Sequence, residues 1–104
     1  KAAFNYAGVF YLLAKDMTRF KTLVETYYGT DLLPSLPVSF QEAVIILSEK
    51  DPDYWKRFGV SESIVGRFTD YKRQVLAGRN NSNALPGLMY RSYGDTYWYY
   101  YMFK

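Results

Sequence analysis

The chain has 104 residues, a formal net charge of +3, no cysteine and no histidine, and 20% of its residues are aromatic. That length is one domain's worth, enough to bury a core without metals or disulfides. The missing residue types exclude disulfides, thiolate chemistry, Ser-His-Asp and Cys-His catalysis, His-ligated zinc or haem and imidazole pH switching within these residues.

A charge of +3 implies no partner by itself. The 12 Tyr, 7 Phe and 2 Trp suit either a small core with hydroxyls at its edge or a contact surface, and the core is the favoured use. Residues 2 to 14 carry no charge, but that run is short of the roughly 18–20 residues a membrane span requires. There is no signal-peptide layout, and a start at Lys1 reads as a piece of a longer, here soluble, protein.

In chain order, the first element is a helical hairpin over residues 2–28. Phe4, Ala7, Gly8 and Tyr11 recur at three- and four-residue intervals, one helix face. Tyr6, Val9, Phe10 and Leu13 make a second apolar face, so something beyond helix two must cover this helix. Gly8 costs about 1 kcal/mol in a helix interior, which implies close approach of a neighbour. Asp16 suits the N-cap of helix two, whose stripe is Met17, Phe20, Leu23, Val24 and Tyr27, with Gly29 as terminator. A break as short as Ala14-Lys15-Asp16 forces the two helices antiparallel.

Residues 29–38, with Pro34 and Pro37, form a rigid connector. A second helical pair is expected over 39–78. Ser39 and Glu42 have capping-box spacing, Val38 and Ala43 that of a staple, and Val44, Ile45 and Leu47 are to be buried. Asp51-Pro52 opens a short helical turn through Phe58 that Gly59 closes. Ser61 caps helix four, striped by Ile64, Val65, Phe68, Tyr71 and Val75 and ended by Gly78. Its Gly66 implies another close crossing. The loop 79–94 is expected to be irregular, with its Leu85-Pro86-Gly87 stretch laid over the core. The aromatic segment 95–104 is assigned to a short helix, with Asp95 as a cap; strand propensity is the competing reading.

The spacing Phe4, Ala7, Gly8, Tyr11 resembles the first helix of a tetratricopeptide repeat, and Phe40, Ala43, Val44, Leu47 echo it. Phe20 and Tyr27 depart from that pattern, which has small residues there. The resemblance spans residues 2 to about 77 and implies an all-α fold of stacked antiparallel helical hairpins, tetratricopeptide-like, with an aromatic C-terminal segment. The Ser39-Phe40-Gln41-Glu42-Ala43 helix and the ending Gly94-Asp95-Thr96-Tyr97-Trp98-Tyr99-Tyr100 also resemble the C-terminal region of an uncharacterised bacterial family whose N-terminal part is a multi-pass membrane protein. That resemblance implies an extramembrane domain.

Carboxylates are the candidate acid/base groups for catalysis. Glu42 is better explained as a cap, and Glu49, Asp51 and Asp53 as solvated caps, since they lack calcium-loop spacing. The expected function is a non-enzymatic interaction or scaffold module without cofactor or metal. Its partner is another protein or the remainder of its own chain, reached through Tyr6, Phe10, Leu13, Trp98 and Tyr100. Membrane contact would come only through a parent chain. The alternative is a binder of nucleic acid or another anionic surface through residues 56–91, using Arg67, Lys72, Arg73 and Arg79.

Overall fold

A computed structural model describes residues 2–104, with side chains from Asn5 onward. The Phe4 side chain of the first stripe therefore lies outside the described residues. Six α-helices and two 3-10 turns carry the chain, and among the described residues extended pairing is limited to isolated bridges. The all-α expectation holds. The chain divides into two compact units, 1–60 and 61–104. Residues 39–78, expected to form one pair, are thereby split: the helix Val38–Leu47 finds its partners in the first unit and the helix Glu62–Ala77 in the second.

In the first unit, α1 (Ala2–Leu13) and α2 (Met17–Tyr27) pack as the expected hairpin. The link between them is a Schellman turn. Asp16 N–H donates to Tyr11 O (2.8 Å), Lys15 N–H donates to Leu12 O (3.0 Å), and Lys15 takes the left-handed conformation with φ 57°. Asp16 then caps α2 by accepting from Arg19 N–H at 3.1 Å. Phe20, Leu23 and Val24 are buried, as the stripe required.

The connector folds back on itself. Gly29, at φ 86°, donates to Leu33 O (2.9 Å), and Leu33 and Leu36 enter the core. Helix α3 is Val38–Leu47 and begins one residue before the expected cap. Pro37 occupies the N-cap, so Ser39 falls inside the first turn and makes no cap hydrogen bond. The capping box and staple are not formed: Glu42 is buried within the helix and Val38 is exposed. Instead, Gln41 Nε2 donates to Leu36 O at 2.9 Å.

Phe40 meets Phe20 edge-on at 5.3 Å, and its ring lies against Gly8. Val44 and Ile45 are buried, while Leu47 is only half-buried. The turn Tyr54–Phe58 packs on α3 and is closed by Gly59 at φ 63°. Tyr54 Oη donates to Glu25 Oε2 (2.7 Å), tying that turn to α2.

The second unit is α4 (Glu62–Ala77), a 3-10 turn at Arg79–Asn81, α5 (Leu85–Tyr93) and α6 (Tyr97–Phe103). Ser61 caps α4 by accepting from Ser63 N–H at 3.2 Å, as expected. Helix α5 corrects the irregular segment expected over 79–94. Pro86 stands in its first turn, where an amide would lack an intrahelical acceptor anyway, and Leu85, Met89 and Tyr93 bury one face. Gly66 is also corrected: a Cβ there would meet nothing within 4 Å. The terminal segment is helical, but Thr96 is its cap, accepting from Tyr99 N–H at 3.2 Å.

Candidate functional site

Three of the contact residues expected from the sequence lie on the outer side of α1 and are exposed. Tyr6 is 76% exposed, Val9 42%, Phe10 66% and Leu13 58%. Their spacing of three, four and seven residues puts them on one side of the helix, opposite the Gly8 position where Phe40 packs. The core has used the Gly8–Leu12 side, leaving the second apolar face outward. Val9 was visible in the sequence as a member of this face but was not among the expected contact residues.

The adjoining side of the hairpin is a groove of about 630 Å³ lined by Ala7, Tyr11, Arg19, Thr22, Leu23, Thr26 and Tyr27. Its lining mixes apolar side chains with two threonines, and Arg19 is paired with Asp16 at 3.4 Å. None of these lining residues bears a carboxylate. Arg19, Thr22 and Thr26 were missed as site residues, although their spacing along α2 was a readable signal for one shared face.

The two C-terminal contact residues behave otherwise. Trp98 is 2% exposed and belongs to the core of the second unit, against Phe68 (5.0 Å) and Tyr71 (5.8 Å). Thr96 caps α6, and Tyr97, Trp98 and Tyr99 of its first turn are all buried. Tyr100 is half-buried and stacks on Tyr97 at 5.8 Å. Burial drives the Tyr97 phenol well above its ordinary value, with Tyr101 and Tyr100 adding to it.

The four basic residues of the alternative each make a separate contact. Arg67 donates to Asp95 Oδ1 (2.9 Å) and to Ser92 O (2.8 Å), and lies over the Tyr93 ring. Its hydrogen bond holds the Asp95 carboxyl below the usual carboxylate range. Arg73 pairs with Asp70 at 2.7 Å, Lys72 lies over Phe68, and Arg79 reaches Leu76 O at 3.4 Å.

In the first unit the Tyr54 phenol is also raised, first by burial and then by its hydrogen bond to Glu25. Among the described residues no three Asp or Glu side chains gather as a metal site, and no helix is long and apolar enough to cross a membrane. Comparison with curated proteins and with solved structures returns no significant match. A family model of unknown function, DUF6057, matches residues 1–104. The chain therefore belongs to the DUF6057 family.

Proposed function

We propose that the chain is a non-enzymatic helical interaction module whose contact surface is the outer face of α1. The observation that carries this reading is four large apolar side chains, Tyr6, Val9, Phe10 and Leu13, exposed together on a helix with no charged residue from position 2 to 14. Each such side chain contributes roughly 1.5–3 kcal/mol when fully buried. A contiguous exposed stripe of this kind is the usual mark of a contact site.

In the finer reading, the α1–α2 hairpin followed by α3 is a degenerate tetratricopeptide-like arrangement. The 36-residue offset from Phe4 to Phe40 and the seat of Phe40 against Gly8 support it. The module would be an extramembrane part of a bacterial membrane protein, as its ending resembles. The anionic-ligand alternative is weaker because Arg67 and Arg73 already hold Asp95 and Asp70.

A photo-crosslinking benzoylphenylalanine in place of Phe10, in the protein in its native cell, tests the reading. Cross-links to protein at position 10, and none with the same group in place of exposed Leu76 on α4, support it. No cross-link at position 10, or equal labelling at both positions, overturns it.

A further inference from the structure

We propose that Asn81 is a site of spontaneous covalent modification, where the chain converts its own asparagine side chain to a carboxylate through a cyclic imide. This goes beyond the contact reading of α1 and does not rest on it. The nucleophile in such a reaction is the main-chain nitrogen of the following residue. A hydrogen bond held by that N–H must break before the nitrogen can attack. Position in the fold therefore tells one asparagine from another.

The chain has four asparagines, Asn5, Asn80, Asn81 and Asn83. After Asn80, the Asn81 N–H donates to Gly78 O at 2.9 Å; after Asn83, the Ala84 N–H donates to Asn81 O at 3.1 Å. Asn5 is followed by the bulky Tyr6 within α1. Ser82 differs. It follows the 3-10 turn Arg79–Asn81, and among the described residues its N–H makes no main-chain hydrogen bond. Its side chain is also small, which leaves the attacking nitrogen uncrowded.

Asn80, Asn81, Ser82 and Asn83 are all exposed, so water and hydroxide reach the group. A single 3-10 turn has poorer hydrogen-bond geometry than an α-helix and opens at little cost. Opening is what brings the Ser82 nitrogen to Asn81 Cγ.

The chemistry balances with water alone. Hydroxide takes the Ser82 amide proton, the nitrogen attacks Asn81 Cγ, the Cγ–Nδ2 bond breaks, and ammonia leaves after taking a proton from water. A second water opens the five-membered imide at either carbonyl, giving aspartate or isoaspartate. Either product lowers the formal net charge of +3 by one unit. Isoaspartate also adds one main-chain atom to the turn that Ala84 closes on residue 81, in the link between α4 and α5.

The test holds the full chain in mildly alkaline buffer for weeks, folded in one sample and in urea in another. Trypsin releases residues 80–91 as one peptide, in which fragmentation mass spectrometry locates each amide-to-acid change. Asn81 is expected to react first, at a rate that follows hydroxide concentration. Folding should slow Asn80 and Asn83 roughly fivefold, the worth of one hydrogen bond, and Asn81 by less than about twofold. Ser82→Pro should abolish the change at Asn81, because proline lacks the N–H and suits the φ of −62° at this position. Ser82→Ile, which keeps the N–H but crowds it, should slow the change without abolishing it. Reaction at Asn80 or Asn83 before Asn81 overturns the proposal. So does protection of Asn81 as strong as that of its neighbours, or a rate at Asn81 indifferent to both substitutions of Ser82.

Discussion

The ring of Phe40 occupies the space that a side chain at Gly8 would need: a Cβ there would lie 2.7 Å from the Phe40 Cε2. This contact seats α3 on α1 and fixes which face of α1 is left outside. Gly8→Ala gains about 1 kcal/mol in helix propensity but forces the ring to shift, an overpacking cost of roughly 1–3 kcal/mol. A net loss of stability is expected in urea unfolding, partly recovered when Phe40→Leu is added. Gly66→Ala has the opposite sign. Nothing stands within 4 Å of its Cβ position, so stability should rise by about 0.5–1 kcal/mol. Equal effects at the two sites would refute the packing described.

Both glycines look alike in the sequence, and only one is pressed by a neighbour. Spacing reports a helix face but not what meets it, so the stripes of α2 and α4 were legible and the role of Gly66 was not. Helix α5 was hidden by Pro86 and Gly87, which punctuate a loop as readily as a first helical turn; the Leu85, Met89, Tyr93 repeat was the better signal. At the candidate site, the second apolar face of α1 was readable as Tyr6, Phe10 and Leu13. Its exposure was not, because nothing local says which of two greasy faces the core will take. Trp98 is legible both as a core aromatic and as a contact residue, because spacing within a run of adjacent aromatics does not say which of them the core takes; the fold buries Tyr97, Trp98 and Tyr99.

Lys15 holds a left-handed conformation at φ 57°, within the turn that joins α1 to α2. A side chain there costs roughly 1 kcal/mol relative to glycine. Lys15→Gly should therefore stabilise the chain by about 0.5–1 kcal/mol without altering its far-ultraviolet dichroism. Destabilisation in a denaturant titration would show that the lysine side chain contributes more than its backbone costs.

Arg67 and Asp95 join α4 to the start of α6, at 2.9 Å and largely in solvent. The Asp95 pKa is depressed, chiefly by the hydrogen bond from Arg67. Its contribution is thus present above the ordinary carboxylate value of about 3.9 and fades as pH falls through the lower folded value. Exposure limits it to less than about 1 kcal/mol. Asp95→Asn should lower the urea midpoint slightly at neutral pH and shrink the further drop in acid. Arg67→Ala should cost more, because the bond to Ser92 O and the cover over Tyr93 go with it. Equal losses for the two variants would argue against that double role.

Tyr71 sits at the centre of the second unit, its ring against Tyr93 (5.1 Å) and Trp98, its hydroxyl donating to Trp98 O at 3.3 Å. Burial first, and then the neighbouring Tyr99, push its phenol up to about 12. A raised folded value favours the neutral form, so the stabilisation is complete below the ordinary pKa of about 10 and is lost as pH rises through about 12. Phenolate absorbance during an alkaline titration should show late-ionising tyrosines, with loss of helical dichroism accompanying them. Tyr71→Phe removes one of these and should cost about 1 kcal/mol for the lost hydrogen bond, while making the second unit less sensitive to base. If every tyrosine ionises near its ordinary value with helicity intact, the Tyr71 hydroxyl is open to water and the aromatic centre of this unit is looser than its ring distances imply.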